Sequence, residues 1–407
     1  MNIKLDINVS VCTPKGFLAS GVHCGIRKNK TKKDLSLIYS KTPCTTACVY
    51  TTNLVKGAPL KVKKENLSLS PIANAVITNS GNANTCNANG IEIAKQMCEL
   101  LANELGIKAT DVVVASTGVI GQTLCIDPIK EKIPDLVAEL STDATSAVEA
   151  IMTTDTKMKQ ASVSFEIDGK LCSMGIMGKG SGMIHPNMAT MLSYITTDIN
   201  ISADMLQKAL SDDVKLSYNM ISIDGDTSTN DMVAILANGL CGNDEITTED
   251  DNYKLFTKAL NMLTTTMAKF IAKDGEGATR LLECNVKNAP TKEDASLVAR
   301  AITSSSLFKS AVFGADANWG RVLCATGYSG ANIDVEKIDV SFSSNKGRLD
   351  VCKGGYGVDF SEELAKEILL EEEIFLEVNL NQGDENATAW GCDLTYDYVK
   401  INGDYRT

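Results

Sequence analysis

Apolar and polar positions change period several times along the chain, and each change marks an element. Ala75, Val76, Ile77 and Thr78 form a short apolar run that reads as a strand. It meets the polar stretch Asn79-Ser80-Gly81-Asn82-Ala83-Asn84, where the strand is expected to stop. Ile93, Met97, Leu100, Leu101 and Leu105 then recur at helical spacing, with Gly106 as the C-terminal stop. Val112, Val113, Val114 and Ala115 predict a buried strand that breaks at Ser116-Thr117-Gly118, leaving backbone amides without ladder partners. Val163, Phe165 and Ile167 alternate with polar residues and lead into Asp168-Gly169, a two-residue hairpin signal. The return strand through Leu171 and Met174 delivers the chain into Gly178-Lys179-Gly180-Ser181-Gly182.

In the second half, Leu255, Phe256, Ala259, Leu260, Leu263, Met267 and Phe270 predict a long amphipathic helix behind a capping-box-like Thr247 to Asp250. It runs into Asp274-Gly275-Glu276-Gly277. Further on come a helical stretch around Leu307 to Val312, a hairpin with Asn345-Lys346-Gly347 at its tip, and alternation at Ile374, Leu376, Val378 and Leu380. The expected class is α/β, with a main domain over residues 1–285 and a smaller α+β domain over 286–407. No internal repeat or low-complexity linker interrupts it.

Composition narrows the function classes. A chain of 407 residues with 44% apolar and 22% charged positions is an enzyme-sized folded protein. A net charge of -12 argues against nucleic acid or an anionic membrane surface as partner, since both repel it at long range. The basic runs Arg27 to Lys33 and Lys61 to Lys64 lack interleaved aromatics and are expected to be solvated. Thirteen cysteines without a CxxC pair make a disulfide framework improbable, and with only His23 and His185 a zinc site lacks its usual ligands. Met1 to Ser10 has no continuous apolar core, and no stretch is long enough to span a bilayer, so a reducing cytoplasmic compartment is expected.

Several motifs fail on spacing. Around Lys179, Ser173 stands where a P-loop needs its first glycine and Gly180 where it needs Ser or Thr. In Asp224-Gly225-Asp226-Thr227-Ser228-Thr229-Asn230-Asp231, Thr229 replaces the turn glycine of a calcium loop and Ile235 its bidentate glutamate, which leaves a hydrogen-bonded structural turn. Arg280 stands where a Rossmann motif opened by Gly275 and Gly277 needs a third glycine. Neither histidine lies near a GxSxG elbow. An N-terminal threonine escapes the histidine shortage, because its own α-amine, with a reference pKa near ~8, reaches its hydroxyl. The best place to create one by cutting is Gly180-Ser181-Gly182-Met183-Ile184-His185-Pro186-Asn187-Met188-Ala189-Thr190. There glycines permit unusual angles, Pro186 restrains the chain, and small Ala189 leaves room for the Thr190 hydroxyl. On the residues alone, a structural turn is the preferred reading.

The segment from Lys179 to Leu192, followed by Thr197-Asp198, resembles the self-processing site of the ornithine acetyltransferases, also called glutamate N-acetyltransferases. The resemblance continues through Thr13-Pro14-Lys15-Gly16-Phe17, Thr51-Thr52-Asn53, Asn79 to Asn84, Ser116-Thr117-Gly118, Thr153-Thr154-Asp155, Asp224 to Asp231, Asp274-Gly275-Glu276-Gly277, Gly314 to Arg321 and Tyr398-Val399-Lys400-Ile401-Asn402. His185 is the one departure.

This resemblance implies an α/β sandwich with stacked sheets, similar in logic to N-terminal nucleophile hydrolases but of distinct topology. It implies cleavage between Ala189 and Thr190 into two chains that stay associated and pair into a heterotetramer. By the same resemblance Thr190 is the nucleophile, and Thr117 and Gly118 form the oxyanion hole. Thr153, Lys179, Thr190, Glu276, Asn402 and Thr407 bind substrate. The expected reaction moves an acetyl group from N-acetylornithine to glutamate, with no cofactor and no metal; acetyl-coenzyme A stays open as a second donor. A self-processing aminopeptidase or amidase and a non-catalytic binding protein are the alternatives.

Overall fold

The computed structural model describes residues 3–185 and 191–404, which fall into two compact units. The first takes the described residues within Met1–Gly180, Asn187–Lys215 and Thr227–Met267, and the second those within Ser181–Pro186, Leu216–Asp226 and Ala268–Thr407. The boundary expected after residue 285 falls inside a strand, Leu281–Ala289, of the second unit.

The first unit is built on a nine-stranded sheet. Its strands are β1 (Lys4–Asp6), β2 (Phe17–Val22), β3 (Leu35–Tyr50), β4 (Ile72–Asn82), β5 (Val112–Val119), β6 (Lys159–Ile167), β7 (Lys170–Lys179) and β8 (Leu192–Thr197); β9 (Ile221–Ser222) belongs to the second unit, and β10 (Met232–Ala237) completes the first. The order is β1-β6-β7-β8-β10-β3-β4-β5, with β2 paired to β3. Both faces are covered, which explains the unbroken apolar run in β5. Val112 and Val114 join one core with Ile93, Met97 and Leu101 of the helix Gly90–Leu105, while Val113 and Ala115 join another with Ala147, Val148 and Ile151 of the helix Thr145–Ile151.

The periodic readings hold. Gly106 closes its helix in the left-handed conformation at φ 68°. The β6–β7 hairpin turns at Asp168 and Gly169, both at positive φ as a type I′ turn requires. The long helix runs Asp251–Lys273, although its capping carboxylate is Asp250, which accepts from Tyr253 N–H at 2.9 Å.

Other expectations need correction. Asn79 to Asn82 do not end a strand but lie within β4, and Ser116-Thr117-Gly118 lie within β5. Their buried polar side chains are tolerated because backbone carbonyls accept from them: Asn79 Nδ2 donates to Asn82 O at 2.9 Å, and Ser80 Oγ to Ala150 O at 2.6 Å. Lys63, in the basic run read as solvated, is fully buried in the helix Ala58–Leu69, and its Nζ has no hydrogen-bond partner; burial pushes its pKa down. Two of the thirteen cysteines are not free: Cys172 on β7 and Cys241 after β10 form a disulfide, their Cα atoms 5.6 Å apart.

The second unit carries a seven-stranded mixed sheet. After β9 come β11 (Leu281–Ala289), β12 (Asp339–Ser344), β13 (Gly347–Lys353), β14 (Tyr356–Gly357), β15 (Glu373–Asn379) and β16 (Glu385–Cys392), in the order β14-β13-β12-β15-β11-β16-β9. The turn at Asn345-Lys346 and the inward alternation of Ile374, Leu376 and Val378 are as expected. Mixed α/β architecture is thus confirmed. Among the described residues no helix is long and apolar enough to cross a membrane.

Candidate active site

The centre of the large sheet brackets the predicted cut. β7 ends at Lys179, whose register partner is Leu192 at the start of β8, and Met232 opens β10 opposite the same Leu192. Met232 N–H also donates to Met191 O at 2.9 Å. The chain therefore leaves this ladder at Lys179 and rejoins it at Leu192. Ala189, Thr190 and Thr407 lie outside the described residues.

Lys179 is not the solvated charge that lysine usually is; it is 8% exposed and its Nζ lies 3.9 Å from Asp155 Oδ2. Asp155 gathers the local donors. Its Oδ1 accepts from Lys159 Nζ and from Gly180 N–H, each at 2.7 Å, and its Oδ2 accepts from Thr153 N–H at 2.9 Å and from the Thr153 hydroxyl at 3.5 Å. Thr153 and Lys179, both predicted for the site, are thus brought onto one carboxylate. Burial alone would raise its pKa, but the Lys179 and Lys159 ammoniums outweigh this and hold the carboxyl below the usual carboxylate range.

Asp231, the residue before β10, is equally buried and behaves oppositely. Its Oδ2 has no hydrogen-bond partner, and burial pushes its pKa well above the ordinary value; bonds from Ser228 and Thr51 and the charge of Lys179 offset this only in part. Its backbone carbonyl accepts from Thr51 N–H at 3.0 Å.

Thr117 and Gly118 sit at the irregular end of β5. Gly118 has φ +132°, and a Cβ there would stand 2.3 Å from the Gly81 carbonyl carbon, so only glycine lets β4 and β5 approach here. Ser116 Oγ donates to Asn79 Oδ1 at 2.6 Å, and the ladder shifts register at Asn82. The sequence signal at Asn79 to Asn84 and at Ser116 to Gly118 is one structural feature, because the two stretches are register partners.

In the second unit, Glu276 is 9% exposed. Asn402 Nδ2 donates to its Oε2 at 2.7 Å, and its N–H donates to Ser181 O at 2.8 Å. A Cβ at Gly182 would come within 2.4 Å of the Glu276 carboxylate, so that glycine admits the acid against the backbone. Asp224 grips the next residues, accepting from Met183 N–H at 2.6 Å and Ile184 N–H at 2.9 Å. Ile223 N–H donates to Ile184 O at 2.7 Å, and His185 Nδ1 lies 3.1 Å from Ser222 Oγ. Asp224 is the first acid of the failed calcium loop, and the expected hydrogen-bonded turn is what the structure shows. Asp155, Asp224, Asn230 and Asp231 were not singled out from sequence as site residues, although each lies in a quoted motif.

A mixed α/β chain with buried acid–base groups around an interrupted ladder has the make-up of an enzyme. The ArgJ family profile matches residues 18–407, and the chain belongs to that family. An arginine biosynthesis bifunctional protein ArgJ of Clostridium acetobutylicum is 51% identical over 407 residues, covering 100% of this chain and 99% of that protein. One of the same description from Thermotoga neapolitana is 50% identical over 396 residues, covering 97% and 99%. The crystal structure of an arginine biosynthesis bifunctional protein ArgJ from Bacillus halodurans matches with 46% identity and a TM-score of 0.50, covering 53% of this chain and 99% of the solved one.

Proposed function

We propose that the chain cuts itself between Ala189 and Thr190 and then moves an acetyl group from N-acetylornithine to glutamate through an acetyl-Thr190 intermediate. The observation that carries this reading is the ladder geometry: the segment holding the Ala189–Thr190 bond is tied at Lys179 and at Leu192, directly opposite one another. Asp224 anchors Met183 and Ile184 within the same segment. The match to a solved ArgJ chain that covers nearly all of that chain but only about half of this one also fits a molecule that matures into two pieces.

Cleavage would not separate the halves. The C-terminal piece supplies β8 and β10, which lie between β7 and β3 of the N-terminal piece, so the central sheet is shared. Two such cut molecules are proposed to pair as a heterotetramer.

In the transfer step the freed amine of Thr190 takes the proton of its own hydroxyl, which attacks the acetyl carbonyl. Thr117 and Gly118 stabilise the oxyanion, ornithine leaves, and glutamate collects the acetyl group in a ping-pong sequence. Lys179 and Glu276 supply the cation and anion for the zwitterionic substrates, with Thr153, Asn402 and Thr407 alongside. No metal or cofactor is required by this chemistry. Because the relatives are named bifunctional, acetyl-coenzyme A is the second donor to assay.

Mass spectrometry of the purified protein beside Thr190→Ala tests the proposal. Two fragments and ping-pong acetyl transfer are expected for the parent, and an intact, inactive chain for the variant. Equal transfer by both proteins would end it, and hydrolysis of the acyl donor without transfer to glutamate would favour the amidase reading.

A further inference from the structure

The segment Asp224 to Asp231 contains a residue with no part in the scheme above. Asn230, 6% exposed, uses every hydrogen-bonding position of its side chain. Its Nδ2 donates to Ala83 O at 2.5 Å and to Ser116 O at 3.0 Å. Its Oδ1 accepts from the Thr85 hydroxyl at 2.5 Å and the Thr229 hydroxyl at 2.6 Å. The chain makes room for it: a Cβ at Gly57 would stand 2.5 Å from Nδ2, and Gly57 N–H is itself tied to Thr229 O at 3.0 Å. An amide saturated in this way cannot rotate without breaking several bonds at once.

The carbonyl that matters is that of Ser116. It shares one rigid, planar peptide unit with the N–H of Thr117, so an anchor on the oxygen also sets the direction of that N–H. Two residues beyond Asn230, Met232 N–H holds the carbonyl of Met191, the residue next to Thr190. One short stretch, 230–232, therefore grips both the end of β5 and the start of β8. We propose that Asn230 is a positioning residue, which holds the Ser116–Thr117 peptide so that its N–H is aimed as an oxyanion donor in register with β8, the strand that Leu192 begins. This rests on the reading of Thr190 as nucleophile and of Thr117 and Gly118 as oxyanion donors.

Asn230→Ala and the isosteric Asn230→Asp test it, with rates taken per cut molecule as counted by mass spectrometry. A misaimed donor lowers transition-state stabilisation without touching ground-state binding. For Asn230→Ala, kcat for acetyl transfer should fall by up to about 100-fold while KM for N-acetylornithine stays within about twofold. The Asn230→Asp variant faces two carbonyl oxygens with an acceptor, and protonating its carboxyl returns one donor. Its rate relative to the parent should therefore rise as the pH is lowered, a signature that a purely structural role does not produce. If both variants keep the parent kcat, or if KM rises in step with an unchanged kcat, the inference is overturned. A parent that neither cuts nor transfers would overturn the nucleophile reading and this inference with it, whereas a parent that does both beside fully active variants overturns the inference alone.

Discussion

Asp155 and Asp231 are both buried carboxyl groups of the first unit, 7% and 2% exposed, and their surroundings shift their pKa values in opposite directions. Asp155 is met by two ammoniums and two backbone amides, and its pKa is depressed. Asp231 has bonds from Ser228 and Thr51 and the charge of Lys179 to set against burial, leaves one oxygen without a partner, and still has its pKa raised. The difference shows that burial does not decide ionisation by itself; the donors brought to the carboxylate do. Divergent carboxyl environments are also how enzymes divide acid and base roles. Here a carboxyl with a depressed pKa stands behind Lys179 and one with a raised pKa just before β10.

The largest effect should come from removing the ionised member. Asp155→Asn removes the carboxylate that the Lys159 ammonium, 1% exposed, donates to at 2.7 Å, and should cost about 3–5 kcal/mol in urea unfolding at pH 7. A midpoint unchanged from the parent would show that Asp155 is not held ionised.

Lys179→Met removes one of its two cations and should cost less, about 1–3 kcal/mol, because Lys159 remains. The same variant should raise the pH at which the fold is lost on acidification. A group whose folded pKa is depressed stabilises fully above its unfolded pKa, about 3.9, and that contribution disappears as pH falls through the folded value. Without Lys179 the folded value climbs, so acid unfolding starts earlier. Acid titration followed by circular dichroism reads this directly.

The smallest effect belongs to Asp231→Asn, which mimics the protonated acid. Its raised pKa means that the folded state binds the extra proton, so the parent loses stability as pH rises from about 3.9 towards the folded value. The variant lacks that slope. Melting temperatures of the two should nearly coincide near pH 4 and separate in the variant's favour by pH 8. A separation of the opposite sign would mean that Asp231 is ionised and paired.

Much of the fold was legible from periodicity. The Asp168-Gly169 hairpin, the Gly106 stop and the β15 alternation depend on neighbours a few residues away, and local sterics settle them. The strands β4 and β5 were misjudged at their polar ends because chain-local reasoning prices Asn79, Ser80 and Asn82 as strand breakers. Their side chains find the carbonyls of Asn82 on the same strand, of Ala150 in the helix Thr145–Ile151 and of Gln122 beyond β5, the last two far along the chain. Lys63 was misjudged for a related reason: a charge in a lysine run is read as solvated, and its burial in the helix Ala58–Leu69 follows from packing.

The candidate site divides along the same line. The sequence by itself determined the family and offered the glycine-flanked Lys179 and Glu276 and the Ala189–Thr190 bond as candidates, because residue types in order are enough to carry a resemblance. Tertiary structure alone decided that Asp155 collects Thr153, Lys159 and Lys179, that Asn230 seizes the Ser116 carbonyl, and that Asp231 is left with an unpartnered oxygen. Ionisation and amide orientation depend on which polar groups stand within about 3 Å, and the full set is complete only when distant residues join the local ones, as Gly180 does at Asp155 and Thr85 and Ser116 do at Asn230.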